Sequence, residues 1–327
     1  MSTATDIAVS VVVPTYRRPD LLQRLLQALL RQDMPFESYE IVVADDGPDP
    51  ITASRVRAIA RQHHAPRIIY LAVTNSQGPA GARNCGWRAA HGRIVAFTDD
   101  DTIPAQDWLR RGVEALSDNA DAAAGKVDVP LPARPTDWER ETGGLSKAEF
   151  VTANCFVTRN ALLAVGGFDE RYTMAWREDS DLQFALLQSG YKIVAAPQAI
   201  VTHPVRPAPW GISLRQQCKV FFDVLLYRKH PHLYRTRIRP VPPWHYYVIV
   251  LAIVIAPVSA LAGSLTIFLT AAFVWLVLTA RFCLRRLRGT SHSVAHIAEM
   301  VVTSVAIPPL ALYWRLKGAL HFRVVFL

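Results

Sequence analysis

Ile94-Val95-Ala96-Phe97-Thr98-Asp99-Asp100-Asp101-Thr102 joins four apolar residues to three consecutive acids. An apolar run that follows the polar Gly92-Arg93 and stops this abruptly reads as a buried strand ending in a loop. The acids then stand at the carboxyl end of a strand, which in an open α/β sheet is where ligands bind. Three carboxylates so close together repel one another unless a cation is present. Mg²⁺ or Mn²⁺ suits all-oxygen ligation better than zinc, held by one or two carboxylates and by the phosphates of a substrate. A solvated acidic turn is the alternative reading of the stretch taken alone.

Working outward, residues 9–13 form a short apolar strand closed by Pro14-Thr15-Tyr16. Pro19-Asp20 then opens a helix in which Leu21, Leu22, Leu25, Leu26 and Leu29 recur at helical spacing. Residues 40–44 are a second strand ending in Asp45-Asp46-Gly47, and a polar helix over residues 51–64 leads to a third strand at 67–72. This alternation predicts an α/β fold, a mostly parallel sheet flanked by helices. Gly78-Pro79-Ala80-Gly81-Ala82-Arg83-Asn84-Cys85-Gly86 leads into a helix that runs to Ala90. Free N–H groups there, with the Arg83 guanidinium, suit a phosphate. The glycine spacing is not that of a dinucleotide site or a P-loop, and an ordinary helix start accounts for the stretch equally well.

Downstream, the pattern predicts a helix over residues 105–117 and a strand over 122–129. Residues 130–148 read as a long irregular loop near the site, of a length that is commonly functional or mobile. A strand over 150–157 and a helix over 159–165 follow, ended by Gly166-Gly167-Phe168-Asp169-Glu170. Trp176-Arg177-Glu178-Asp179-Ser180-Asp181 opens the next helix, and plain N-terminal capping is one account of its acids. Short strands at 192–195 and 200–202 close the domain, with His203 before Pro204.

Charge separates the chain into two environments. Residues 1–205 carry 21 Lys+Arg and 25 Asp+Glu, a balance of −4, whereas residues 206–327 carry 15 Lys+Arg with only Asp223 and Glu299, a balance of +13. A cationic, acid-poor, apolar third fits a membrane with anionic lipids, not nucleic acid. The four cysteines, Cys85, Cys155, Cys218 and Cys283, lack any paired spacing, so neither a disulfide framework nor a zinc site is expected and a reducing compartment is. No positive residue precedes Arg17 and the first apolar run ends at Pro14, unlike a signal peptide. The first domain is expected on the cytoplasmic face of the cell membrane.

Residues 206–243 read as an interfacial helix, over 212–226, and a basic linker. Packing of that helix on the catalytic domain is the alternative. Residues 246–280 hold no charge, and one helix of 35 residues would be about 52 Å, far beyond a hydrocarbon core of about 30 Å. A hairpin of two spans joined near Ala262-Gly263-Ser264 fits better, with Trp244, Tyr246 and Tyr247 in the interface belt. Arg281, Arg285, Arg286 and Arg288 return the chain to the cytoplasmic side. Residues 294–314 are apolar but interrupted by His296, Glu299 and Pro308-Pro309, which suggests a re-entrant or interfacial segment, with a third span as the alternative.

Pro14-Thr15-Tyr16, Asp45-Asp46-Gly47, Gly78 to Gly86, Asp99-Asp100-Asp101, Gly166-Gly167-Phe168-Asp169-Glu170 and Glu178-Asp179 together resemble, in order, the motif set of the family 2 glycosyltransferases, over roughly residues 8–205. The resemblance implies a GT-A fold and inverting transfer of one sugar from a nucleotide diphosphate sugar, helped by Mg²⁺ or Mn²⁺. It implies that Thr15 and Asp46 hold the base, that Arg83 faces the nucleotide, and that Asp99 and Asp100 face the ribose and the sugar. It implies that Asp101 ligates the metal bridging both phosphates, with His203 as a further ligand. Asp179 matches the general base. Gly166, Gly167, Trp176 and Glu178 fall on the acceptor side, the glycines letting acceptor hydroxyls approach the backbone. A membrane-anchored enzyme of this kind is expected to act on a lipid-linked or envelope glycan.

Processive synthases of the superfamily carry Gln-x-x-Arg-Trp after the base, which Arg215-Gln216-Gln217-Cys218-Lys219 does not match, so single transfers are favoured. An aspartate-dependent phosphatase would want Thr or Val where Ile103 stands. A nucleotidyltransferase would want a glycine-rich loop in place of Pro14-Thr15-Tyr16. A non-catalytic membrane scaffold that kept the fold is disfavoured because Asp101 and Asp179 are both present.

Overall fold

The computed structural model describes residues 7–62, 64–116 and 119–327. The chain divides into two units. One ends at Pro130 and resumes over Gly144–Pro204; the other comprises Leu131–Gly143 and Val205–Leu327.

In the first unit, β1 (Val9–Thr15) and β2 (Tyr39–Asp45) are buried at all seven positions. Apart from Ser10, Glu40, Thr15 and Asp45 their residues are apolar or aromatic, as parallel strands covered on both faces require. Between them α1 (Pro19–Leu29), started by its own proline, turns Leu22, Leu25, Leu26 and Leu29 inward. α2 (Pro50–Ala60) is capped by Asp49, whose carboxylate accepts the Thr52 N–H at 3.0 Å, and β3 (Arg67–Ala72) is a half-exposed strand. α3 (Pro79–Ala89) and β4 (Ile94–Phe97) lead to the acids, and β5 (Ile103–Pro104) follows them.

α4 (Trp108–Ala115) is shorter than the expected helix over 105–117, and Ser117 lies outside the described residues. β6 (Ala122–Asp128) then leads to α5 (Asp137–Thr142), which belongs to the second unit. β7 (Cys155–Thr158), α6 (Arg159–Val165), α7 (Glu178–Gln188) and β8 (Ile193–Thr202) complete the first unit.

Among the described residues the eight strands form one sheet in the order β3-β2-β1-β4-β7-β6-β8-β5. β1 pairs parallel with β2 and β4, β2 with β3, and β6 with β8. β7 runs antiparallel to β4 and β6, and β5 to β8. The sheet is mostly parallel, as expected. From β1 the chain moves to β2 and β3 on one side, and β4 enters on the other. The carboxyl ends of β1 and β4 therefore open the crevice that such a switch of direction creates.

Two expected elements differ for local reasons. The strand expected over 150–157 begins only at Cys155, because Asn154 turns the chain and its side chain stitches three segments together. Its Oδ1 accepts Trp108 Nε1–H at 2.8 Å, and its Nδ2 donates to Lys126 O and Ala199 O, both at 2.8 Å. Those carbonyls flank the irregularity at Gly125/Lys126 where β6 and β8 shift register. The bulge merges the two short strands expected at 192–195 and 200–202 into one.

The loop expected over 130–148 instead holds α5 and a 3₁₀ turn, Gly143–Lys147. A capping box opens α5: the Glu139 N–H donates to Thr136 Oγ1, and the Glu139 carboxylate accepts the Thr136 N–H. Asp137 on α5 then takes Arg286 at 2.8 Å and Arg140 at 2.7 Å.

In the second unit, α8 (Ile212–Arg215), a 3₁₀ turn (Gln216–Lys219) and α9 (Val220–Lys229) replace the single helix expected over 212–226. α10 (Pro231–Leu233) and a π-helical turn, Tyr234–Ile238, occupy the basic stretch. α11 (Trp244–Leu261) and α12 (Leu265–Leu287) join across 262–264, where the uncharged run was expected to fold back. α13 (Val294–Phe322) is one unbroken helix through Pro308 and Pro309, not a re-entrant loop. Among the described residues α11, α12 and α13 are long and apolar enough to cross a membrane.

Asn154→Leu keeps the branched outline of the side chain but strands the Trp108 N–H and two carbonyls. A loss of about 3 kcal/mol in unfolding free energy is expected, read from the denaturation midpoint of the detergent-solubilised chain.

Candidate active site

The acids after β4 are held in a closed loop. Thr98 and Thr102 hydroxyls meet at 2.7 Å, Thr102 donates to Asp99 O at 2.9 Å, and Thr98 donates to Ala153 O at 3.0 Å. This knot fixes the loop that carries the three carboxylates. Asp100 is buried and accepts Thr15 Oγ1–H at 2.8 Å and Arg18 at 3.2 Å. Burial pushes its carboxyl up to about 6, against the pull of Arg18. Asp99 accepts Arg83 at 2.7 Å. Asp101 Oδ1 stands 3.4 Å from His203 Nε2.

Asp99, Asp101 and His203 bring one donor atom each within 4.8 Å of one another. His203 is buried, and its Nδ1 has no hydrogen-bond partner. Two carboxylates and an imidazole fit Mn²⁺, and Mg²⁺ less well because of the nitrogen. The sequence places these residues about a hundred positions apart; the pairing of β5 with the end of β8, Ile103 opposite Thr202, draws His203 to the acids.

On the neighbouring strands, Thr15 pairs with Asp45 and the Asp46 N–H donates to Thr15 O at 2.9 Å, so Thr15 and Asp46 lie side by side. Asp46 Oδ2 accepts the Gly78 N–H at 2.8 Å, while Oδ1 is buried without a partner. Burial raises the Asp46 carboxyl, and the Gly78 N–H holds it back. Asp45 is sealed off, accepting from Tyr70 Oη at 2.8 Å and from the Gly47 N–H at 3.2 Å.

Arg83 occupies the middle of the site. It is 2% exposed, donating from one terminal nitrogen to Glu178 at 2.9 Å and from the other to Asp99 at 2.7 Å. Its Nε is buried without a partner. Glu178 and Asp179 open α7 behind Arg177, a non-glycine residue in the left-handed region at φ 74° whose guanidinium stacks 4.5 Å from the Trp176 ring centroid. Backbone strain of this kind persists only where the surroundings over-determine it. The two acids differ in access. Glu178 is buried against Arg83, whereas Asp179 is half-buried and accepts the Ser180 N–H at 2.6 Å. Burial raises both carboxyls above the ordinary range, countered by Arg83 at Glu178 and by the Ser180 N–H at Asp179.

The family model for Glycosyl transferase family 2 matches residues 10–180, which hold this arrangement except for His203. The chain belongs to glycosyltransferase family 2. Glycosyltransferase AglE of Haloferax volcanii is 31% identical over 228 residues, covering 67% of this chain and 73% of that protein. A GalNAc(5)-diNAcBac-PP-undecaprenol beta-1,3-glucosyltransferase of Campylobacter jejuni is 40% identical over 93 residues, 28% of this chain and 29% of that one. The fold is that of a mannosyltransferase from Pyrobaculum calidifontis solved with GDP-Man and Mn²⁺, with a TM-score of 0.55 at 21% identity over 95% of this chain and 86% of that chain. The chain is thus a GT-A enzyme that transfers sugar from a nucleotide sugar.

Several motif residues of this glycosyltransferase have structural partners that the sequence did not reveal. A Cβ on Gly167 would stand 2.6 Å from Asn84 Oδ1 and from Trp87 Nε1, so the neighbour that demands glycine there is α3. Gly166 faces open space. Asn84 clamps the same turn, accepting the Phe168 N–H at 2.9 Å and donating to Phe168 O and Glu170, both at 2.8 Å. Gly86 lets α3 close on β1, since a Cβ would meet Val12 Cγ1 at 2.5 Å, and Gly78, at φ 93°, passes against the Thr173 backbone. Close packing thus accounts for the glycines between Gly78 and Gly86. Arg18 and Asn84 were missed as site residues; nothing in their spacing marks them.

Arg83→Met leaves Glu178 and Asp99 without their shared cation. Removing one partner of a buried ion pair costs about 3–5 kcal/mol. The urea midpoint of the solubilised chain is expected to fall accordingly, and Glu178→Gln, which keeps a hydrogen bond to Arg83, to cost distinctly less.

Proposed function

We propose that the chain is a metal-assisted, inverting transferase that moves one sugar to a lipid-linked or envelope glycan, with Asp179 as general base. The observation that carries this reading is the unequal access of the two acids that open α7. Glu178 is sealed against Arg83, and helical neighbours point about 100° apart. Asp179 is left as the acid able to meet an acceptor hydroxyl. It takes that proton as the oxygen attacks the anomeric carbon; the bond from that carbon to the diphosphate breaks from the opposite face, and its electron pair leaves with the diphosphate.

Charge supports the metal. Asp46, Asp99, Asp100, Asp101, Glu178 and Asp179 stand against three guanidiniums, Arg18, Arg83 and Arg177. A nucleotide diphosphate would add further negative charge to an already negative cleft. Asp101, Asp99 and His203 would hold Mn²⁺ or Mg²⁺, which when bound neutralises the leaving diphosphate. Asp46, beside Thr15 with one buried oxygen unpartnered, is suited to accept a pyrimidine or purine N–H. Asp100, tied to Thr15 and Arg18, keeps the base and sugar sides of the crevice in register. Trp176, braced by Arg177, and the open Gly166 border the acceptor side.

The acceptor class rests on the apolar helices of the second unit and on the Campylobacter relative, a glucosyltransferase named for its undecaprenol-linked glycan. The arginines that follow the hairpin favour a catalytic domain on the cytoplasmic face of the cell membrane.

Asp179→Asn is expected to bind the nucleotide sugar normally and to transfer it about 10² to 10⁴ times more slowly. Because burial raises the Asp179 carboxyl and the base acts only when deprotonated, the wild-type rate rises with pH through a limb above the ordinary aspartate range, and the variant lacks that limb. Loss of donor binding in Asp179→Asn would contradict the assignment. Asp101→Asn is expected to remove most of the activity together with its Mg²⁺ or Mn²⁺ dependence; undiminished wild-type turnover in excess chelator would sink the metal reading.

A further inference from the structure

α13 is long and apolar enough to be a third span, yet its neighbours are not those of a spanning helix. One face is tied along its length to the segment that precedes α11. Glu299 accepts the Gly211 N–H at 2.8 Å, next to α8. A Cβ on Gly318 would meet Val224 of α9 at 2.8 Å, and the Phe322 ring lies 4.8 Å from that of Phe221. Beyond the helix, Phe326 packs on Tyr227 and Tyr234 at 5.0 and 5.4 Å, and Arg315 lies 4.0 Å over its ring. The segment tracked in this way carries Arg215, Lys219, Asp223, Arg228, Lys229 and Arg235. If α13 crossed the bilayer, these charges would cross beside it, which hydrocarbon strongly disfavours.

The hairpin meets α13 at its charged end. Arg286, in the last turn of α12, is buried and donates to Thr303 at 2.6 Å and Ser304 at 3.1 Å. Tyr247, in the first turn of α11, lies within electrostatic range of Arg315. Tyr246 of that turn packs on Phe282 at 5.5 Å, so both turns belong to the same end of the hairpin. Residues 303 and 315 are about 18 Å apart along a helix. α13 therefore passes beneath the arginine-bearing end of both hairpin helices.

Its other face is apolar and open: Val301, Val305, Leu316 and Leu320 are exposed at helical spacing. Arg239, Arg281, Arg285, Arg288, Lys317 and Arg323 are exposed around it. We infer that α13 lies in the plane of the membrane at the cationic end of the hairpin, its apolar face in the acyl boundary of an anionic leaflet and both of its ends on the side of Arg286. α8 and α9 cover its back, so that these helices form a layer parallel to the lipid surface. This rests on reading α11 and α12 as the spans.

The test measures nitroxide depth in the full chain reconstituted into vesicles of phosphatidylcholine with phosphatidylglycerol. Cys85 and Cys218 are replaced by serine; Cys155 and Cys283 are buried. Labels at V301C, V305C, L316C and L320C are expected to report one shallow depth, although positions 301 and 320 are about 28 Å apart along the helix. A graded profile crossing the bilayer midplane from 301 to 320 would overturn the inference. A label at L276C, mid-helix in α12, separates the two possible failures. Deep there, it upholds the hairpin whatever α13 does; shallow there, it removes the hairpin and the in-plane placement with it.

Discussion

The Arg83 guanidinium, buried between Glu178 and Asp99, is the interaction on which the catalytic unit depends. Glu178 stands beside the proposed base on α7, and Asp99 belongs to the donor set with Asp101 and His203. Burying a carboxylate is tolerable only beside a fixed cation, and a rigid fork that reaches two carboxylates at once also sets the distance between them. Proton acceptance and diphosphate binding would thus be held in register by one side chain on α3. The motif resemblance put Arg83 toward the nucleotide; the fold turns both of its terminal nitrogens to protein carboxylates.

The same economy recurs around α3. Asn84, next in the chain, clamps the turn that follows α6, and that turn fixes the approach to α7. Gly86 lets α3 close on β1, and Gly167 gives α3 room on its other side. A helix that touches the central strand, the acids after β4 and the turn after α6 leaves little space for side chains. Its glycines follow from that crowding.

In the second unit, Arg286 has a comparable part. A guanidinium at the end of an apolar helix is a liability unless it is paired, and Asp137, Thr303, Ser304 and Ser213 together satisfy it. Asp137 comes from α5, a helix inserted between β6 and β7 of the catalytic unit. The membrane-associated unit is therefore completed by residues from within the catalytic sequence. Building the two units from interleaved segments of one chain makes them inseparable in sequence.

What sequence alone determined was the part that depends on periodicity and order. Apolar runs of strand length between amphipathic helices specified a mostly parallel sheet, and an abrupt stop after Phe97 placed the acids at a strand end. An uncharged run too long for one span specified the hairpin. What only the tertiary structure decided were contacts between residues far apart in the chain. His203 meets Asp101 because a two-residue strand pairs with the end of β8, and Glu178 separates from Asp179 because Arg83 lies beneath one and not the other. α5 could have been found from its capping box, a local signal hidden among prolines and glycines. α13 could not have been placed so: its composition suits a span and an interfacial helix alike, and only the charge-bearing segment packed along its back distinguishes them.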